Sequence, residues 1–181
     1  AKLIKANQQV LIFNQRTIEE ILEVILTIGR IVAAEERAQH LVDGYRSAIE
    51  VAKERANRIE YRPKVYFEEW DEPALSAIRW VSELIEIAGG EDVFSEKSHG
   101  KLAAEREVQW SDVVDMNPDV ILASWCGKPV NVESMRNRPG WDSITAVRNN
   151  RIHEIDPSII LQPGPASLTD GLRAIQSILE E

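Results

Sequence analysis

The sequence predicts an α/β protein built on a mostly parallel sheet. Short apolar runs at 8–13 (QQVLIF), 64–68 (KVYFE), 119–124 (DVILAS) and 151–155 (RIHEI) alternate with stretches whose apolar residues recur every three or four positions. The runs at 65–68 and 119–124 are mainly apolar without alternation, which suits strands covered on both faces, as parallel strands are. A third observation shapes the architecture. Residues 35–59 read as one amphipathic helix, with Ala38, Leu41, Val42, Tyr45, Ile49, Ala52 and Ala56 on a common face. At 1.5 Å per residue such a helix is roughly 37 Å long, enough to act as a spine between two bodies.

The elements follow in order. QQVLIF reads as a buried strand. Thr17 and Glu20 form a capping box that opens a helix running to about Val32. The long helix comes next, and RPKVYFEEW restarts the chain as a strand. EPALSAIRWVSELIEIAGG is read as a helix with Pro73 in its first turn and Gly89 as its stop. Residues 91–107 show no periodicity and are expected to be an irregular loop. Ser111 is expected to cap a short helix ending at Asn117-Pro118, ahead of the strand DVILAS. A short helix at 131–137, turns at Pro139-Gly140 and Asn149-Asn150, and the strand RIHEI complete the alternation. Pro163-Gly164-Pro165 then leads into a last helix with Leu168, Leu172, Ile175 and Leu179 on one face.

Composition bounds the function. The 181 residues, 44% hydrophobic and 28% charged, suffice for one compact domain or for part of a two-lobed protein. The apolar stretch IEEILEVILTIGRIVAA is interrupted by Glu19, Glu20, Glu23 and Arg30, so no run reaches the ~20 apolar residues of a membrane span. A formal net charge of −9 argues against a nucleic-acid-binding surface. Ala1 is not a natural start, so an upstream segment is expected, and the absence of a signal peptide says nothing about export.

The stretch ASWCGKP (123–129) carries the Trp-Cys-Gly of a dithiol redox site. Cys126 is nevertheless the one cysteine, with Pro129 where its partner would stand, so an internal disulfide cycle is excluded. Val132 stands where a phosphatase-like loop would need arginine. Cys126 is expected to be a small, at least half-buried packing residue. His40, His99 and His153 show no metal-ligand spacing, Ser124 lacks a nucleophile-elbow context, and GKP at 127–129 is not a phosphate loop. The carboxylates at 68, 69, 71 and 72 are dense, but a working acid pair needs contrasting environments, which a sequence does not display. Neither a catalytic set nor a metal site emerges.

Ligands of open parallel sheets sit beyond the carboxyl ends of the strands. KVYFE is followed by Glu69-Trp70-Asp71-Glu72, DVILA by Ser124-Trp125-Cys126-Gly127, and RIHEI by Asp156-Pro157-Ser158 and then Gln162. Large flat indoles with a few polar neighbours suit a bulky, partly apolar ligand. Packing against neighbouring loops is the plainer role for each tryptophan, and Trp80, Trp110 and Trp141 are read that way.

FNQRTIEEILEVILTIGRIV, RPKVYFEEWDEP, WVSELIEIAGGEDVF, VVDMNPDVILAS, RPGWDSITAVRNNRIHEID and LQPGPASLTDGL occur in the order seen in a known family. Together they resemble the periplasmic substrate-binding proteins of ABC importers for vitamin B12 and iron-siderophore complexes, and SWCGKP with RPGW and LQPGPA looks closest to the cobalamin-binding branch. The resemblance implies two α/β lobes joined by a rigid helix, with the ligand between them. On that reading residues 1–34 end an N-terminal lobe that is mostly missing, 35–60 are the inter-lobe spine, and 61–181 form the C-terminal α/β lobe. It implies a monomer outside the cytoplasm, free or lipid-anchored, that is not an enzyme and carries no cofactor. The cargo would be cobalamin or a related metal chelate, and the partner a membrane permease. Carried over position by position, it assigns ligand contact to Trp70, Asp71, Trp125, Ser158, Ile160 and Gln162. It assigns permease docking to Asp112 at the start of the helix before NPDVI, where the family usually has Glu. Open alternatives are a ferric siderophore or haem as ligand, an α/β enzyme acting on a metal chelate or nucleotide, and a scaffold that dimerises through the spine.

Overall fold

The computed structural model describes residues 9–181. Helix α1 (Ile18–Ile31) opens with the expected capping box: Thr17 accepts the Glu20 N–H, and Glu20 reaches back to the Thr17 N–H. Helix α2 (Glu35–Ala56) folds back on α1 after a tight corner at Ala33, which adopts φ 53°. Its 22 residues make a rod of roughly 33 Å. Ala38, Val42, Ile49 and Ala52 line its buried face.

Four strands then build one parallel sheet: β1 (Lys64–Glu68), β4 (Glu91–Asp92), β5 (Val120–Ala123) and β6 (Ile152–Glu154), in the order β4-β1-β5-β6. Val65 pairs with Val120 and Glu68 with Ala123, while Ala123 pairs onward with Glu154. Strand alternation sends Val65, Phe67, Val120 and Leu122 to one face. There they meet α1, α2, helix α3 (Arg79–Ala88) and the C-terminal helix. Tyr66, Ile121, Ala123 and Ile152 go to the other face, against Val113, Met135, Trp141 and Ile144. Helices on both sides explain why these strands read as unbroken apolar runs.

The chain leaves β1 toward β4 on one side and returns to β5 on the other. The sheet therefore has its topological switch point between β1 and β5, where a crevice opens at the carboxyl ends.

Several expectations are corrected. Residues 9–13 of the first expected strand run as coil, with Leu11 and Ile12 exposed, because no strand of the described residues pairs with them; residue 8 lies outside the described residues. Trp70–Asp71 (β2) and Ala74–Leu75 (β3) pair antiparallel as a small ribbon, so helix α3 begins at Arg79 and not near Pro73. The ribbon is held from outside: Ser76 N–H donates to the Arg106 carbonyl and Leu75 bridges Glu107. The stop at Gly89 stands, with φ 100°. The expected loop 91–107 contains β4 and two 3₁₀ turns, Ser95–His99 and Ala103–Arg106. Helix α4 (Trp110–Met116) is capped by Gln109 with Asp112, so Ser111 lies within its first turn. Helices α5 (Val132–Arg136), α6 (Thr145–Arg148) and α7 (Pro157–Ile160) are short. The last helix starts as a π turn at Ser167–Gly171 and continues as α8 (Leu172–Leu179).

Candidate ligand-binding site

The four carboxylates at the end of β1 and just beyond it have four different environments. Glu68 ends the strand on the Tyr66 face and is fully buried. Arg138 donates to it through both terminal nitrogens, at 2.5 and 3.0 Å; Tyr66 Oη donates at 3.0 Å and Trp125 Nε1 at 3.2 Å. Burial pushes the Glu68 carboxyl above its ordinary range, while Arg138, Tyr66 and Trp125 pull it back toward the ionised form. Burial and the adjoining carboxylate push the Tyr66 phenol well up, which keeps it a donor.

Glu69 points to the other side of the strand. It takes a second bidentate pair from the buried Arg106, at 2.6 and 3.0 Å, and Arg106 also donates to the Ser76 carbonyl. This pair ties the β2–β3 ribbon to the Ala103–Arg106 turn. Asp71 receives Lys128 Nζ at 2.6 Å. Glu72 is exposed, and its carbonyl accepts the Trp70 indole N–H at 3.0 Å.

These anchors arrange the aromatics. The Arg138 guanidinium lies between two indoles, 4.6 Å from the Trp110 centroid and 4.5 Å from that of Trp141. Lys128 Nζ sits 4.3 Å from the Trp70 ring and 5.0 Å from that of Trp125. Beside them is a depression of about 370 Å³ bounded by Asp71, Pro73, Ala74, Val108 and Trp110. A larger groove of about 700 Å³ runs between α1, α2 and α3 over Ile18, Leu22, Ile49 and Ile87.

The sequence-predicted residues are distributed unevenly over this geometry. Trp70 and Asp71 stand half-buried at the switch point. Trp125 is there too, but only 3% exposed, with its face covered by Lys128 and its N–H given to Glu68; the expected open, cleft-facing indole is corrected to a covered wall. Ser158 and Gln162 are exposed near the end of β6, where Ser158 N–H donates to Asp156. Ile160 is corrected: its side chain is fully buried in the helix-covered core and its carbonyl accepts the Trp80 indole N–H, so a ligand does not reach it. Cys126 is exposed, contrary to the packing role expected of it, because it opens the solvent-facing loop that leaves β5. One Asp112 oxygen accepts the Gln109 N–H at 3.0 Å.

Glu68, Arg138, Lys128 and Trp110 are not among the site residues expected from the sequence. Arg138 lies in the quoted RPGW and Lys128 in SWCGKP, but nothing local shows which carboxylate each one finds. Trp110, read as packing, is 37% exposed on the crevice.

A model of the periplasmic binding protein family matches residues 1–159. The ABC transporter substrate-binding lipoprotein YvrC of Bacillus subtilis (strain 168), itself described as uncharacterized, is 26% identical over 163 residues, 84% of this chain. The chain spans about half of that relative, 48% of its length. A possible iron-binding (periplasmic solute-binding) protein of Staphylococcus epidermidis superposes with a TM-score of 0.82 at 21% identity, over 99% of this chain and 69% of that one. The vitamin B12 binding protein BtuF of Vibrio cholerae superposes with a TM-score of 0.70 at 18% identity, over 99% and 68%. The chain belongs to the periplasmic binding protein family.

Proposed function

We propose that this chain is part of the substrate-binding component of an ABC importer, and that its crevice captures a bulky, partly apolar metal chelate, with cobalamin or a related corrinoid as the first candidate. The half-buried Trp70 and the exposed Trp110 at the switch point carry this reading, with the covered Trp125 behind Lys128. Indoles offer wide apolar faces, and a chelate ring system is the kind of ligand that covers them. The YvrC and BtuF likenesses support the transport role. In this reading residues 1–34 close an N-terminal lobe, 35–60 form the spine and 61–181 the C-terminal lobe. Trp70, Asp71 and Trp110 meet the ligand, Ser158 and Gln162 flank it, and Asp112 meets an arginine of the permease. The protein works outside the cytoplasm as a monomer.

A ferric chelate is the second reading, favoured by the Staphylococcus epidermidis likeness. Haem is a further reading, since its flat ring system would also cover the indoles.

Equilibrium dialysis of the 181-residue chain against hydroxocobalamin, haemin and a ferric trihydroxamate, read by the absorbance of each chelate, tests the assignment. Retention of hydroxocobalamin that falls at least about tenfold in Trp110→Ala is expected. Retention of the ferric chelate alone would replace the corrinoid. Retention of none at millimolar concentration would remove the reading that this lobe alone holds the chelate, and recovery of an altered chelate would favour the enzyme alternative.

A further inference from the structure

The geometry points to a cation-binding cage at the mouth of the crevice, formed by Trp70, Trp125 and Asp71 and occupied by the chain's own Lys128, whose place the ammonium group of a ligand takes. Lys128 Nζ has an indole face on two sides, at 4.3 and 5.0 Å, and a carboxylate oxygen at 2.6 Å. Two aromatic faces with a carboxylate form the receptor by which proteins recognise organic ammonium ions, since the ring quadrupole and the acid attract the same charge.

The walls of this cage do not depend on its occupant. Trp70 is oriented by its N–H to the Glu72 carbonyl, and its ribbon is held by the Arg106–Glu69 pair. Trp125 is oriented by its N–H to Glu68, which Arg138 and Tyr66 hold in turn. The lysine, by contrast, comes from an exposed loop. Residues 126–129 are all exposed, and Gly127, at φ 82°, has open space where a side chain would be. The Lys128 side chain is 40% exposed against 24% for Asp71, so the ammonium can leave while the acid stays. A receptor whose walls are held independently of its occupant is the arrangement in which a ligand cation displaces an internal one.

To the chelate reading above, on which this step rests, the cage adds a place for the ammonium group of a cargo that carries one. A corrinoid without one would leave Lys128 in place as part of the floor.

The test needs no chelate. The five tryptophans give five indole N–H cross-peaks in 15N-labelled protein, and that of Trp70 is identified by its loss in Trp70→Phe. Lys128→Ala is titrated with tetramethylammonium chloride against sodium chloride at equal ionic strength. A saturable shift of the Trp70 peak is expected, with affinity about tenfold or more above that of the native chain. Asp71→Asn in the Lys128→Ala background should abolish it. A Lys128→Ala protein that binds no better than the native chain, or binding indifferent to Asp71, would overturn the cage. Either result leaves the transport proposal standing, since that one is decided by dialysis against the chelates.

Discussion

Arg138 and Glu68, 70 residues apart, meet as a buried bidentate pair at 2.5 and 3.0 Å, with the guanidinium held between the rings of Trp110 and Trp141. The pair joins the carboxyl end of β1 to the loop after α5, and through Trp125 it reaches the end of β5. It thus fixes the two strands between which the crevice opens.

Breaking one side of this pair leaves the other charge buried. Glu68→Gln is expected to cost about 3–5 kcal/mol in urea unfolding, and Arg138→Met a similar amount. Because each single loss strands the charge that the other variant removes, the double variant should be destabilised by clearly less than the sum. Additive losses would show that the two side chains do not share one network.

Asp92 gives a pH dependence of definite sign. It is 3% exposed, accepts the Phe94 N–H at 3.0 Å and leaves Oδ2 without a partner among the described residues. Burial, first among the causes, pushes its carboxyl up from the ordinary value. A raised carboxyl binds its proton more tightly in the fold, so its contribution to stability is full below the unfolded value of 3.8 and is lost as pH rises through the folded value. Asp92→Asn should therefore stabilise the protein at neutral pH and flatten the loss of stability as pH rises from 3.8. Denaturant midpoints at several pH values measure both effects, and an unchanged slope would be the contrary outcome.

His153 acts in the opposite direction. Burial, the largest cause, lowers its ring from 6.5 despite the nearby Glu181. The unfolded chain then takes up the proton first as pH falls, so stability declines from about 6.5 downward until the folded ring also titrates. Replacing His153 with Gln should remove that decline, as thermal melting at pH 7 and pH 5 would reveal.

Three glycines form a graded series. At Gly171 a Cβ would meet the Ile159 carbonyl oxygen at 2.5 Å, and a backbone atom does not yield as a side chain does. Gly171→Ala is expected to cost about 1–3 kcal/mol. Gly29→Ala would press on the Ala38 Cβ at 2.4 Å, forcing α1 and α2 apart with a comparable loss. Gly44 has nothing within 4 Å in the middle of α2, so Gly44→Ala should stabilise by roughly 0.5–1 kcal/mol. Differential scanning calorimetry orders the three, and a loss at Gly44 would contradict the open space around it.

The sequence alone determined what depends on neighbours within a few residues. The capping box at Thr17 and Glu20, the long amphipathic α2, the Gly89 stop and the strands β1, β5 and β6 could all be read from local patterning, because hydrogen bonding and periodicity there act within a turn or a strand. So could the end of the sheet at which Trp70 and Trp125 emerge. The tertiary structure decided what depends on distant partners. Four nearly adjacent carboxylates look alike along the chain, yet Glu68 finds Arg138, Glu69 finds Arg106 and Asp71 finds Lys128, each across more than thirty residues. The two-residue strand β4 exists only because β1 lies beside it. Ile160 turns inward, Trp125 is covered and Trp110 lies open for the same reason. Burial and charge pairing are properties of which segments meet in space, and no local pattern encodes that meeting.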